Sequence, residues 1–432
     1  MRRIFILILL FCSLIASSQQ MLTLEQAVGI ALNNNFSILI AKNQSDISSN
    51  DVSFGNAGIG PQVSFNAASS FASNATKQHY SIGQDVNKEG VVSNNVNYGL
   101  ALNWTLFDGL KMFANYEKLK ELKAMGELNL KIQIENNISE VIKAYYDVVR
   151  QKQLIRATSE LVSIYEERKK ISQEKYDVGS GSRLEVMQAK VDMNAEKSQL
   201  LKLQSALFNS KAALNQLLAR NSEKDFDAAD SIVFAYNPKY GDLKTSVEKK
   251  NNGLLFSEEN IKIADCSLRA SRAMHSPVIG LNANYLFSRS VNDAGFMLLN
   301  QNLGFNKGFF VTWNLFNGFE VNRQIKDAQI QLAISKMQYG MIKTQLENNI
   351  ATAYRNFEQA KEVLQMEEDN SKIVRENIDS ALESFRIGKT SSLELKDAQK
   401  SYEDAQIRLV NARYDAKSAE TELMRLNGML VK

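Results

Sequence analysis

The sequence has few of the residues that build disulfide frameworks, zinc sites and thiol nucleophiles. Only 2 Cys, 2 His and 3 Pro occur among its 432 residues. Cys12, Cys266, His79 and His275 lie far apart along the chain, which argues against all three kinds of site. We therefore expect no metal, no cofactor and no enzymatic activity. The shortage of Pro permits very long helices, because a Pro within a helix costs ~3 kcal/mol or more.

An excess of one charge is also lacking. The chain has 51 basic and 48 acidic residues, a formal net charge of +3. Because basic residues are not in large excess, the composition does not favour nucleic acid as a partner, and we expect no nucleic-acid partner. With 44% hydrophobic and 23% charged residues, the chain is too polar to lie in lipid as helices and too apolar to be disordered.

The one long apolar run stands at the N-terminus. Arg2 and Arg3 precede IFILILLFCSLI, and small residues follow, a pattern typical of a cleavable secretory signal at residues 1–18. The run of about 12 residues is short of the ~20 that span a membrane. A lipoprotein signal would need a small residue before Cys12, where Phe11 stands. We expect an exported chain.

The chain contains an internal duplication. WTLFDG begins at Trp104 and WNLFNG at Trp313, an offset of 209 positions that also relates the motifs further downstream. Upstream, PQVSFNA at Pro61 matches PVIGLNA at Pro277 with an offset of 216. A fixed offset is typical of a repeated structural unit. The offset changes from 216 at the Pro motif to 209 at the Trp motif. This change indicates that the hairpin between the two motifs differs in length in the two copies.

The duplication predicts two copies of one unit. The first repeat covers residues 19–220 and the second residues 243–432. Each is expected to contain a helix, a β-hairpin, a long helix and a final helix. The polar stretch at residues 221–242 is interpreted as the linker.

Two segments in each repeat alternate between apolar and small or polar residues. The apolar positions are Val63, Phe65, Ala67 and Phe71; Val96, Tyr98, Leu100, Leu102, Trp104 and Leu106; Ile279, Leu281, Ala283, Tyr285 and Phe287; and Phe305, Phe309, Val311, Trp313 and Leu315. Lys307 interrupts the last series. Roughly 10 to 13 residues each, these strands are close to the ~9 to 11 that cross a bilayer. On alternation alone, hairpins packed on a soluble core are an equal alternative.

The helical pattern favours the membrane interpretation. About 70 residues from Phe107 to Val178 lack Pro and carry a coiled-coil period, which predicts a helix of ~100 Å. A second copy covers about 321–387, and shorter helices are predicted at about 24–53 and 184–220. Such lengths exceed a compact globular domain. Since lipid tolerates no open sheet edge and the smallest barrels have ~8 strands, four strands per chain predict an oligomer.

The motifs together resemble those of the TolC-like outer-membrane efflux proteins. They are LTLEQAVGIALNNN, the paired P-x-[VI]-x-[FL]-N-A and W-x-L-F-[DN]-G, the turns YDVGSGSRLEV and FRIGKTSSLEL, and NARYDAKSAETELMRLNG. The resemblance implies a mainly α protein with a membrane β-barrel portion. Three chains would share a twelve-stranded barrel, four strands each, continued by a trimeric α-barrel of coiled-coil helices.

The resemblance also implies a function. The chain would be the passive outer-membrane exit duct of a tripartite efflux or type I secretion system, with a helical tunnel in the periplasm. Its partners would be a periplasmic adaptor, an inner-membrane pump and outer-membrane lipid. The alternative is a periplasmic coiled-coil adaptor, which would need only one helical hairpin and no strands.

Site residues follow from the same resemblance. The adaptor-docking tip falls on Val178, Gly179, Ser180 and Gly181 and on Ile387, Gly388 and Lys389. The pore-gate acids fall on Glu185, Glu394 and Asp397, and three copies of Asp397 would form a ring of carboxylates. For each acid a solvated helix face is the alternative.

Two further expectations concern the gate and the membrane. Thr390 stands where some members carry an Arg that ties the closed gate, and Arg183 or Lys389 are candidate substitutes. Asp192, further from the turn, is expected to be a neutral control position. An aromatic belt at the membrane surface is expected from Trp104, Phe107, Trp313 and Phe316, although the two Trp could instead be core residues.

Overall fold

The computed structural model describes residues 21–234, 236 and 238–430. The predicted signal lies outside the described residues. The elements are α1 (Leu24–Asn34), α2 (Phe36–Asn50), α3 (Phe54–Ala57), β1 (Gln62–Gln78), β2 (Val86–Phe107), α4 (Lys111–Asp177), α5 (Arg183–Leu217), α6 (Tyr240–Lys250), α7 (Asn252–Ala273), β3 (Val278–Asn292), β4 (Leu299–Thr312), α8 (Glu320–Arg386) and α9 (Ser392–Leu426). Helices α4 and α8 each have 67 residues, and α5 and α9 each have 35. Within the described ranges, no helix combines the length and apolarity needed to cross a membrane.

The chain divides into two compact units. The helical unit contains residues up to Asn43, Leu128–Leu255 and the chain from Met341 onward. The sheet unit contains Gln44–Glu127 and Phe256–Gly340, and so includes all four strands. Each unit draws on both halves of the sequence.

The strands of the sheet unit form one antiparallel sheet in the order β1-β2-β3-β4. They have 17, 22, 15 and 14 residues, and so the first two are clearly longer than the alternation predicts. The extra length of β1 and β2 comes from polar residues, such as Thr76 paired with Lys88. Backbone pairing continues there because the ladder needs no apolar side chains. Strand β4 ends at Thr312, before Trp313 and Leu315.

One face of this sheet is apolar. The pairing register places on it the exposed side chains of Val63, Phe65, Phe71, Tyr98, Leu100, Trp104, Tyr285, Leu303, Phe305, Phe309 and Val311. Tyr98 and Phe287 stack on this face with their ring centroids 4.7 Å apart. An exposed apolar area of this kind is typical of a surface that meets lipid or a partner.

An Asn interrupts the helix that begins each repeat. The single helix expected at about 24–53 is wrong in this respect, since Asn35 is extended (φ −62°, ψ 124°) and separates α1 from α2. Its Oδ1 accepts from the amide of Ser37 at 2.9 Å, and its Nδ2 donates to the carbonyl of Leu217 at 2.8 Å. Asn251 repeats this between α6 and α7, donating to the carbonyl of Leu426 at 3.0 Å. An Asn side chain competes for backbone groups and so ends a helix and starts the next.

The segment interpreted as a linker packs on the helical unit. Phe226 and Ala228 are buried in a core cluster with α1, α4 and α5. The hydroxyl of Tyr145 donates to the carbonyl of Leu22 at 2.9 Å and accepts from the amide of Ala229 at 3.1 Å. Lys152 Nζ lies 2.6 Å from the carbonyl oxygen of Ala228. These contacts fix the segment to α4.

Candidate functional site at the paired helical turns

Two short turns, residues 178–182 and 387–391, connect the long helices to α5 and α9. Gly179 and Gly388 have φ of 76° and 78°, a left-handed conformation that glycine adopts without strain. The amide of Ser180 donates to the carbonyl of Lys175 at 2.8 Å, and that of Lys389 to Ser384 at 2.9 Å. The duplication has therefore preserved the backbone of the turn. Open space surrounds both glycines where a side chain would project.

Each turn ends in a capping box. The amide of Glu185 donates to Ser182 Oγ at 3.2 Å, and the amide of Glu394 donates to Ser391 Oγ at 3.2 Å. Each Glu carboxylate in turn accepts from the Ser amide, at 3.4 Å and 2.8 Å respectively. Thr390 also donates its hydroxyl to Glu394, and this bond, with those from Ser391, lowers the pKa of that carboxyl. The spacing S-x-x-E signals this structural role in the sequence, although the sequence reasoning above used it only for the gate.

Asp397 differs from these two acids. It is exposed on α9, three residues after Glu394. Its carboxylate makes no hydrogen bond or ion pair with any residue that the structure describes. The first turns of α9 thus present one acid engaged in the cap and one that is available to solvent or to another chain.

The turns carry exposed apolar side chains. Val178 is 78% exposed and Ile387 57% exposed, and Leu184 and Leu393 are likewise exposed on the first turns of α5 and α9. Four apolar side chains exposed at two adjacent turns are typical of a docking surface.

A fully buried Arg joins the helices behind the turns. Arg168 on α4 is 1% exposed and donates to Asp192 at 3.1 Å, to Gln399 at 2.9 Å and to Ser392 at 3.1 Å. Asp192 also accepts from Lys396 Nζ at 3.1 Å. The carboxylate of Asp192 lies at the centre of this network and therefore has a structural role. That its replacement changes conduction little stays a prediction. We call these five residues the Arg168 cluster.

The Arg168 cluster supplies a cation that the sequence reasoning missed. Arg183 and Lys389, the proposed substitutes for the missing gate Arg, are exposed, and their side chains have no polar partner among the described residues. No motif marks Arg168, because its burial depends on α4, α5 and α9 meeting there. Lys175 adds a second tie between the helix pairs, since its Nζ donates to the carbonyl of Phe385 at 2.5 Å.

The predicted belt residues lie in the sheet unit. Trp104 near the end of β2 donates its indole N–H to the carbonyl of Ile59 at 2.9 Å, and Trp313 donates to the carbonyl of His275 at 3.0 Å. Phe107 is the last residue of β2 and is half-buried. Phe316 is exposed and packs edge to face with Phe319. A location at the membrane surface stays a prediction for these four residues.

Comparisons with known proteins agree with this fold. The model of the family described as outer membrane efflux protein matches residues 27–220 and 246–429. The outer membrane efflux protein BepC of Brucella suis is 22% identical over 332 residues, 77% of this chain and 72% of that protein. The crystal structure of VceC from Vibrio cholerae superposes with a TM-score of 0.77 at 15% identity, covering 94% of this chain and 96% of VceC. The structure of the outer-membrane channel OprN superposes with a TM-score of 0.78 at 18% sequence identity, covering 94% of this chain and 89% of OprN.

These findings confirm the resemblance that the motifs suggest. They also confirm the mainly helical fold with four antiparallel strands, and the assignment to the outer membrane. The two matched segments together cover most of the sequence, including both turns and all four strands. The chain therefore belongs to the outer membrane efflux protein family.

Proposed function

We propose that the chain is the outer-membrane exit duct of a tripartite efflux system and that it conducts substrate passively, without catalysing a reaction. The observation that carries this proposal is the four-stranded sheet with one exposed apolar face, built on the same chain as two helices of 67 residues. A coiled-coil adaptor would use the helices but not the sheet. The sheet therefore favours the duct.

Three copies would complete the barrel. Strands β1 and β4 are the free edges of the sheet, and lipid tolerates no unpaired backbone edge. Pairing β4 of one copy with β1 of the next in a ring of three gives twelve strands. The apolar face would then meet lipid, and the face rich in Asn and Gly would line the lumen.

The turns would dock a periplasmic adaptor that links the duct to an inner-membrane pump. Val178, Ile387, Leu184 and Leu393 support this proposal because they are apolar and exposed together. The neighbouring Gly179, Ser180, Gly181, Gly388 and Lys389 would let the partner approach the backbone closely. Type I secretion would use the same surface with another pump.

Asp397 would form the gate. Its exposed, unpaired carboxylate supports this role, since three copies near the axis would repel one another and attract cations. Glu185 and Glu394 would lie beside it, although their capping bonds reduce their freedom to face the pore.

The direct test is membrane fractionation with an efflux assay. Expressed in a strain that lacks its own exit duct, the chain should enter the outer membrane as a trimer that resists dissociation by SDS. With its cognate adaptor and pump it should restore resistance to toxic compounds. A variant in which Gly179 and Gly388 are both replaced by Trp should assemble but fail to restore resistance. Recovery of the wild type as a soluble periplasmic monomer would contradict the proposal.

A further inference from the structure

The pairing register places a Lys within the apolar face of the sheet, towards the end that carries Trp104. Val63 pairs with Leu102, Leu102 with Ala283, and Ala283 with Lys307. Residues paired across neighbouring strands point to the same side of a sheet. Lys307 therefore shares its face with apolar side chains, and it is exposed.

The position of Lys307 along β4 fixes its depth in the apolar face. The next row toward the end of β4 joins Trp104 to Leu281 and Leu281 to Phe309. Phe309 is 76% exposed and lies two residues from Lys307, ~7 Å along the strand. With a strand tilt of ~40°, that spacing is about 5 Å of depth. Lys307 therefore lies one row of paired residues further from the end of the sheet than Trp104 does.

No carboxylate is available to neutralise this cation. The side chain of Lys307 makes no hydrogen bond or ion pair with another residue that the structure describes. Strand β3 on one side has no Asp or Glu over Val278–Asn292. Strand β1, which would adjoin β4 from the next copy, has none over Gln62–Gln78. A charged side chain among hydrocarbon is costly unless it finds a counter-charge or reaches the membrane surface.

We propose that Lys307 binds the phosphate of an anionic glycerophospholipid in the leaflet at the Trp104 end of the strands. This inference rests on the proposed function, because it requires the apolar face to meet lipid. The butyl stem of a Lys can follow an apolar surface while its ammonium reaches the headgroup level, and a compact ammonium is a good phosphate ligand. The Trp104 side chain and the Phe309 ring flank the path of the lipid chain.

The positive charge of Lys307 predicts which lipid headgroup binds best. Lys307 is an isolated cation, so a lipid with a net negative headgroup gains the full attraction. A zwitterionic lipid brings its own ammonium, which competes for the same phosphate. Phosphatidylglycerol should therefore bind better than phosphatidylcholine.

Arg289 provides a matched control on the same face. Its row joins Val96 to Arg289 and Arg289 to Gln301, at the other end of the apolar face. Arg289 also makes no ion pair with the residues described. Its removal changes the net charge as removal of Lys307 does, but at the level of the opposite leaflet.

The test is native mass spectrometry of the purified full-length protein with added phosphatidylglycerol, phosphatidylcholine or lipid A. We expect wild type to bind one phosphatidylglycerol per chain, and Lys307→Leu to lower that affinity about fivefold. Lys307→Arg should retain it, and so should Arg289→Leu. Lys307→Leu should still fold, because it replaces a charge on an apolar face by an apolar side chain.

Three results would overturn the proposal. They are unchanged phosphatidylglycerol binding in Lys307→Leu, an equal loss in Arg289→Leu, and a preference of wild type for phosphatidylcholine or lipid A. Any of these leaves the exit-duct proposal intact if Lys307→Leu is still recovered as an outer-membrane trimer that supports efflux. Failure of the wild type in that fractionation would instead contradict the duct itself.

Discussion

The two helical turns share one backbone but have different surroundings. Both have a left-handed Gly and a capping box, yet Tyr176 before the first turn is 43% exposed while its counterpart Phe385 is 2% exposed. Arg168 is buried in the first repeat, whereas its counterpart Asn377 is exposed. The duplication has therefore kept the backbone of the turns while their side chains diverged. Arg168 of the first repeat now binds Ser392 and Gln399 next to the second turn.

The largest effect should come from removing the cation of the Arg168 cluster. Arg168→Met removes the buried partner of Gln399 and leaves Asp192 with the partly exposed Lys396 as its one cationic partner among the described residues. We expect a loss of about 3 to 5 kcal/mol. The loss should appear as a lower urea midpoint of the helical circular dichroism signal of the purified protein. Arg183→Met, at an exposed position without a polar partner among the described residues, should change the midpoint little. Equal midpoints for both variants would show that the cluster does not stabilise the protein.

The aromatic residues before the two turns, Tyr176 and Phe385, should contribute unequally to stability. Phe385→Ala removes a side chain packed with Leu161, Ile378 and Leu395, and should cost about 3 to 5 kcal/mol in the same assay. Tyr176→Ala, at the equivalent exposed position, should cost clearly less. Similar losses would mean that the two turns are supported alike.

The glycines should give a smaller and symmetrical effect. Gly179→Ala and Gly388→Ala each place a Cβ on a residue with φ near 77°, which costs about 1 kcal/mol, although open space surrounds both positions. We expect equal shifts of the urea midpoint. A much larger loss at one glycine would reveal a contact that differs between the turns.

The cap of the second turn should lose stability in acid. The pKa of Glu394 is lowered by the hydroxyl of Thr390, whereas Gly181 stands at the equivalent place beside Glu185. Because the folded pKa is depressed, the stabilisation is present above the unfolded pKa and is lost as pH falls through the folded value. The urea midpoint of Glu394→Gln should therefore approach that of wild type in this acid range. Thr390→Gly should shift the range upward, because it removes a hydrogen bond to the Glu394 carboxylate.

Replacing Asp397 by Asn should leave the stability of the protein unchanged and alter only the conduction of ions. Asp397→Asn keeps the size of an exposed side chain, while its counterpart Gln188 already lacks the charge. In planar bilayers, we expect weaker cation preference and weaker block by trivalent metal complexes from the periplasmic side. Unaltered block would move the gate to Glu394 or Glu185.

Local sequence patterns predicted most of the fold, but they did not predict the long-range packing of the helices. Alternation marked the strands, and the lack of Pro between positions 107 and 178 indicated the first long helix. The capping boxes at Ser182 and Ser391 were readable from their spacing. The burial of Arg168 was not, because a lone Arg on a polar helix looks like any solvated side chain until three helices surround it. The break at Asn35 was missed because helical periodicity continues across it.

The two indole hydrogen bonds of the sheet unit have a consequence for assembly. Trp104 and Ile59 are 45 positions apart, and Trp313 and His275 are 38 apart. The second bond closes a loop that contains the whole of β3 and β4, and the first closes one that contains β1 and all but the last three residues of β2. Such loops are inexpensive to close compared with the pairing of β2 and β3, which joins the two halves of the sequence. A slip of one residue would turn every apolar side chain to the wrong side. Each hairpin can therefore align its own two strands without waiting for β2 and β3 to pair.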